Sequence, residues 1–186
     1  YGIGSWSQED FKTALRRGIA PDGMPYFPSF PYPSFTGMSG SDIVDLWAYV
    51  SRQPAVSRSN ERHKLQFPFN LRILMWGWRA LFFKEGVIET DPNRSEEWNR
   101  GSYLVRALNH CGECHTPRNA FGAVDDGREL GGNPEGPNGR SVPNITPDEV
   151  SGIGSWSDED IIDFLLIGMT PEGDFAGGAM TEVIDQ

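Results

Sequence analysis

Two cysteines separated by two residues and followed at once by a histidine, Cys111-Gly112-Glu113-Cys114-His115, are the residues of this 186-residue chain best suited to chemistry. Thiols at that spacing add to the two vinyl groups of a porphyrin, and the adjoining imidazole of His115 then binds the iron from one face. No other cysteine is present, so the sequence holds no further thiol for a disulfide framework. The competing readings are a redox dithiol or half of a zinc site. A zinc site needs a second ligand pair, and only His63 and His110 remain to supply it. Covalent haem at Cys111 and Cys114 is the expectation.

A haem iron held by histidine on one side becomes an electron carrier if a second protein ligand closes the other side, and a catalyst if that side stays open. Met180, in Gly177-Gly178-Ala179-Met180, follows a helical segment in a glycine-rich stretch that can carry a thioether over the ring, and it is the expected sixth ligand. The alternative is a methionine filling a gap in the core. Met169 reads as a core residue on the preceding helix. Arg118 and Arg140 are candidates to neutralise the haem propionates, with Asn144, Trp156 and Tyr32 as hydrogen-bond donors to them. His110, directly before the first cysteine, points away from the axial position, and His63 lies in a polar stretch and reads as solvated.

An internal repeat sets the organisation around these residues. Gly2-Ile3-Gly4-Ser5-Trp6-Ser7-Gln8-Glu9-Asp10 recurs as Gly152-Ile153-Gly154-Ser155-Trp156-Ser157-Asp158-Glu159-Asp160, and the register holds through Leu15/Leu165, Gly18/Gly168, Pro21/Pro171 and Gly23/Gly173. So long an offset points to two copies of one domain rather than a solenoid. In each copy Ser7 or Ser157 is placed to cap a helix whose third residue is Asp10 or Asp160. The first copy opens at its GIGSW segment, so its own CxxCH is expected upstream of Tyr1. Its residues 41–50, with Ile43, Leu46, Trp47 and Val50 at helical spacing behind a serine or aspartate cap, predict a helix. A matching helix is expected after Gln186. Phe30 occupies the position of Met180 in the first copy, so the ligand of a first haem is sought at Met38, with Met24 as the alternative. The aromatic, proline-rich stretch 26–35 is a stiff wall suited to excluding water from a haem edge.

Composition limits the function. With 22 glycines and 14 prolines the chain is rich in turns, and the net charge is −10. Residues 1–90 carry 10 basic and 8 acidic side chains, whereas residues 91–186 carry 6 and 18. Nucleic acid is excluded as a partner; the acidic half is a solvated surface or steers a basic redox partner. Covalent haem attachment belongs to oxidising compartments, which points to a periplasm or the outer face of a cytoplasmic membrane. The opening residues lack a charged segment followed by an apolar one, so any targeting segment is expected upstream of Tyr1.

Two further segments read as helices. Ser95-Glu96-Glu97-Trp98 opens one with Trp98, Gly101, Val105 and Leu108 on one face, Ser95 as its cap, and Gly101 as a point where another helix crosses closely. Residues 71–83 are mostly apolar, with two tryptophans and with Arg72, Arg79 and Lys84 alongside. They are too few for the roughly 20 residues a bilayer requires. This segment is expected to be a helix buried between domains; a membrane surface or a partner protein is the alternative.

Taken together, the Tyr26-Phe27-Pro28-Ser29-Phe30-Pro31-Tyr32 string, Phe67-Pro68-Phe69-Asn70, the stretch His110 to Asn119, Pro143-Asn144-Ile145-Thr146-Pro147 and the two GIGSW helices resemble multihaem class I c-type cytochromes. These are relatives of the cytochrome subunits of membrane-associated alcohol, gluconate and aldehyde dehydrogenases. The resemblance implies a mostly α, loop-rich chain of two tandem class I cytochrome c domains, both incomplete here: 1–56, a linker at 57–92, and 93–186. In that fold the helix before the haem motif crosses the last helix of its domain, so the mate of the 95–108 helix is expected in the segment after Gln186. The resemblance also implies a relay, with electrons passing from a dehydrogenase through haem c to a quinone, an oxidase or a soluble carrier. One haem c is assigned at 111–115 and a second is expected with its CxxCH upstream. The alternatives are a dihaem enzyme of peroxidase or thiosulfate-oxidising type, with an open or unusual ligand, and a docking subunit without its first haem.

Overall fold

The computed structural model describes residues 2–61, 63–136 and 139–185. Regular structure is helical: α1 (Gln8–Arg17), α2 (Tyr32–Phe35), α3 (Gly40–Val50), α4 (Met75–Phe82), α5 (Glu96–Tyr103), α6 (Gly112–His115), α7 (Asp158–Ile167) and α8 (Ala179–Ile184). Among the described residues β pairing is confined to isolated bridges. The chain divides into two compact units, 1–113 and 114–186.

The sequence repeat returns as repeated local structure. The Ser7 hydroxyl accepts the Asp10 amide at 3.1 Å, while the Asp10 carboxylate accepts the Ser7 amide at 2.8 Å. Ser157 and Asp160 do the same at 3.1 and 2.8 Å. Each pair ties off two amides that a helix start leaves without partners. Both helices end at a left-handed glycine, Gly18 and Gly168, and in both the chain then folds back through one bridge, Ile19 to Pro25 and Met169 to Phe175. Met169 therefore lies beyond the end of α7, in the returning turn and not on the helix. The two glycines differ in crowding: a Cβ on Gly18 would collide with the Tyr32 ring, whereas one on Gly168 would meet Ala176 and Ile184 at 3.4 Å.

The core of the first unit is built from Phe11 and Leu15 of α1, Met38, Ile43 of α3 and Ala107. The Ser39 hydroxyl caps α3 by accepting the Asp42 amide at 3.0 Å. The helix thus starts before Ser41, because the earlier serine offers its oxygen to the amide three residues on. After α5 the helix widens into a π turn, Leu104–Leu108, in which the Asn109 amide reaches back to Leu104 at 2.8 Å. This turn places Ala107 in the core, and Tyr103 donates its hydroxyl to Asp42 while accepting the Ser39 amide at 2.9 Å. Burial raises the Tyr103 hydroxyl pKa above its ordinary value, and the bond to Asp42 raises it further. Within the first unit the 95–108 segment packs against the region around Met38 and α3. Among the described residues nothing lies within 4 Å of a Cβ built at Gly101.

The 71–83 segment forms a 3-10 turn, Arg72–Leu74, running into α4. Only Met75 is buried; Ile73, Leu74, Trp76 and Leu81 are exposed. Arg72 donates to the carbonyls of Pro25 (3.1 Å) and Met24 (3.0 Å), and Arg79 donates to that of Arg17. The helix is therefore held along one edge instead of being buried all round, because its arginines supply the attachment and leave the apolar edge outward. Among the described residues no helix is long and apolar enough to cross a membrane.

Candidate haem site

The π turn and a left-handed His110 (φ 41°) deliver the pentapeptide to α6. Local widening of this kind is frequent at functional positions. The Cys111 amide donates to Val105 O at 2.9 Å and the Glu113 amide to His110 O at 2.8 Å. Cys111 and Cys114 are half-buried thiols. In the first unit the Ser34 hydroxyl donates to Glu113 at 3.0 Å, and the His110 ring packs edge-on against Phe35 at 5.4 Å. His110 thus has an aromatic neighbour; exposed His63 likewise packs against Phe27 at 5.1 Å.

The second unit fixes His115 from two sides. Its Nδ1 lies 2.8 Å from Pro143 O, and its carbonyl accepts the Gly132 amide at 2.7 Å. A ring that donates from Nδ1 presents Nε2, with its lone pair, to a metal, and the bond fixes both tautomer and orientation. Gly132 (φ 86°) lies so close to the 142–144 stretch of chain that a Cβ would come within 2.9 Å of Asn144 N. Glycine is therefore what lets His115 and Pro143 approach. Buried Thr116 accepts the Leu130 amide at 3.0 Å, and Ile145 N returns to Leu130 O at 3.0 Å, which closes the cradle.

The remaining sequence candidates are placed as follows. Met180 lies in the first turn of α8, not in an open loop, because the chain after Gly178 resumes helical geometry. Met38 is 3% exposed and sits in the core of the first unit, and Met24 is half-buried with its carbonyl held by Arg72. Arg118 donates to Gly122 O at 2.7 Å. Asn144 donates to Ser151 at 3.0 Å and accepts the Thr146 amide at 2.8 Å, so its side chain organises its own loop. Trp156 packs on Phe164 at 5.5 Å. Exposed Arg140 comes close to Gly178, 3.3 Å from where its Cβ would be. Tyr32 is fully buried, with Phe83 edge-on at 5.0 Å and the Arg79 guanidinium 5.4 Å from its ring centre, and its hydroxyl meets no hydrogen-bond partner among the described residues. Burial pushes that hydroxyl pKa up, against the pull of Arg79.

Sequence reasoning missed the roles of Pro143 O and Gly132. The residues present suit a covalently held haem: two thiols about one helical turn apart and an imidazole whose Nδ1 is already bonded. Among the described residues no group of three or more His, Cys, Asp or Glu is placed to hold a metal ion.

No family model matches the chain. It is 45% identical over 99% of its length to a diheme cytochrome c-type protein of Cereibacter sphaeroides, covering 60% of that protein. It is 38% identical over its whole length to the fructose dehydrogenase cytochrome subunit of Gluconobacter japonicus, covering 38% of it. With the cytochrome c subunit of the quinone-type alcohol dehydrogenase of Gluconobacter oxydans it shares 35% identity over 99% of its length, covering 40% of that protein. The resemblance to multihaem c-type cytochromes and to the cytochrome subunits of dehydrogenases therefore extends along the full chain. The chain spans at most 60% of the length of these relatives.

Proposed function

We propose that the protein transfers electrons through covalently bound haem c, as the cytochrome subunit of a dehydrogenase. It takes electrons from the partner's cofactor and passes them to a quinone, an oxidase or a soluble carrier on the periplasmic side of a membrane. When bound, the haem supplies a one-electron couple at iron. The protein's part is to attach it through Cys111 and Cys114, orient His115 through Pro143, and exclude water. The observation that carries this reading is the 2.8 Å contact between His115 Nδ1 and Pro143 O, made by the residue that follows Cys114 on α6. Met180 supplies the sixth ligand. Trp156, Arg118 and Arg140 are proposed around the propionates, and Asn144 acts there by ordering its loop.

The repeated capping boxes and glycine turns support two tandem domains of one type, divided as 1–56, a linker at 57–92, and 93–186. A second haem would take its CxxCH from upstream sequence, with Met38 as ligand and Met24 as the alternative. Buried Tyr32 suits donation to a propionate of that haem, since an unmet buried hydroxyl costs about 1–3 kcal/mol. The exposed edge of the 71–83 segment suits docking of a partner protein, because its arginines are turned onto the first unit.

Redox titration of the full-length protein with ferric spectra tests this function. Low-spin iron with a sulfur-to-iron charge-transfer band is the expected result, and a high-spin ferric centre that turns over peroxide or thiosulfate would refute it.

A further inference from the structure

The segment Leu130-Gly131-Gly132-Asn133 is bonded to both sides of the His115–Pro143 contact. Toward His115, the Gly132 amide donates to His115 O at 2.7 Å and the Leu130 amide donates to the Thr116 hydroxyl at 3.0 Å. Toward Pro143, Asn133 and Val142 exchange backbone hydrogen bonds at 2.9 and 2.8 Å, and the Ile145 amide donates to Leu130 O at 3.0 Å. Pro143 is thus bracketed by ties at Val142 and Ile145, both made to the same four residues. Every one of these residues belongs to the second unit.

Leu130 is the strained point of the segment. Its φ is 61°, a left-handed conformation that a residue with a Cβ keeps only where its surroundings hold it there. The holders are visible: its amide is bonded to Thr116 and its carbonyl to Ile145. Of the two ties toward His115, the one from Gly132 runs from backbone to backbone, so the Thr116 hydroxyl is the side-chain determinant. Thr116 is 2% exposed, so water does not replace a bond lost there.

We propose that Thr116 is a positioning residue for the haem iron. Its hydroxyl holds Leu130 in the left-handed conformation, Leu130 holds Ile145, and the chain so fixed keeps Pro143 O on His115 Nδ1. Thr116 acts through this backbone and is not a ligand. Because the Nδ1 bond makes Nε2 a stronger donor and favours ferric iron, loosening it favours the ferrous state. The inference rests on the haem reading above and adds to it a residue that sets the potential.

Thr116→Val keeps the shape of the side chain and removes the acceptor, whereas Thr116→Ser keeps the acceptor. In the full-length protein, potentiometry of the haem at 111–115 should find Thr116→Val shifted severalfold toward the ferrous form at a given applied potential, with Thr116→Ser restored to the starting value. A Thr116→Val protein that loses stability to urea but keeps its potential overturns the proposal, as does a Thr116→Ser protein that behaves like Thr116→Val. Should Thr116→Val fail to fold, hydrogen exchange in the unaltered ferrous protein decides by nuclear magnetic resonance. The Leu130 amide and the His115 Nδ1 proton should exchange through one shared opening, and separate openings overturn the proposal. The haem absorbance of the same samples keeps the two readings apart: haem attached with an unmoved potential removes only the role of Thr116, whereas absence of haem from every sample removes the electron-transfer reading and this inference with it.

Discussion

His115 and Pro143 meet through a side-chain nitrogen and a backbone carbonyl 2.8 Å apart, although 28 residues separate them. The bond draws the Nδ1 proton toward oxygen and leaves Nε2 a stronger donor, which stabilises ferric over ferrous iron. We predict that Pro143→Gly, which keeps the carbonyl but frees the backbone that aims it, raises the midpoint potential and slows electron transfer by about tenfold. Potentiometry and stopped-flow measurements check this. An unchanged potential would mean that the bond does not tune the iron.

Met180 should be distinguishable from the chain's other methionines by spectrum. Met180→Leu keeps the volume of the side chain, so the sulfur-to-iron band should vanish and the potential should fall while the fold persists. Met169→Leu should leave both unchanged. The reverse pattern would move the ligand to the turn after α7.

The two copies make unequal demands on their glycines. Gly18→Ala must push aside the Tyr32 ring in addition to adopting a left-handed φ, and should cost about 3 kcal/mol or more. Gly168→Ala, with its nearest neighbours at 3.4 Å, should cost about 1–2 kcal/mol. Urea denaturation of the two variants checks the order; equal losses would show that the contact with Tyr32 relaxes freely.

The capping carboxylates make stability depend on acid. The Ser7 amide and then its hydroxyl hold Asp10 below the ordinary 3.8, and Ser157 does the same for Asp160. A depressed folded pKa means that the contribution is complete above the unfolded value and is lost as pH falls through the folded one. The thermal midpoint should drop on acidification below about pH 4, and Asp10→Asn with Asp160→Asn should flatten that part of the profile. Superimposable profiles for the two proteins would contradict the assignment.

What the sequence made legible follows from where each signal resides. The Ser7/Asp10 and Ser157/Asp160 boxes and the Ser95 cap are local: the residue types and a spacing of three suffice, and the helices start where they say. Ser39 and Ser41 both qualify as caps by type, and only backbone geometry selects Ser39. Met180 looked like a loop residue because glycines precede it, yet α8 begins immediately after them. Pro143 was invisible in its role because the acting atom is a carbonyl that every residue possesses. Gly101 and Gly132 are alike as letters, but among the described residues only Gly132 of the two faces another stretch of backbone. The apolar 71–83 segment gave its helix but not its exposure, which depends on Arg72 and Arg79 reaching carbonyls far away in sequence.

Whether Cys111 and Cys114 carry porphyrin is the question on which the functional account turns. Proteolysis of the full-length protein, followed by mass spectrometry and a pyridine haemochrome spectrum of the peptide containing residues 111–115, tests it most directly. The account predicts that the peptide bears one haem through two thioether bonds with both sulfurs blocked to alkylation. A peptide in which both sulfurs alkylate and no porphyrin absorbs would contradict it.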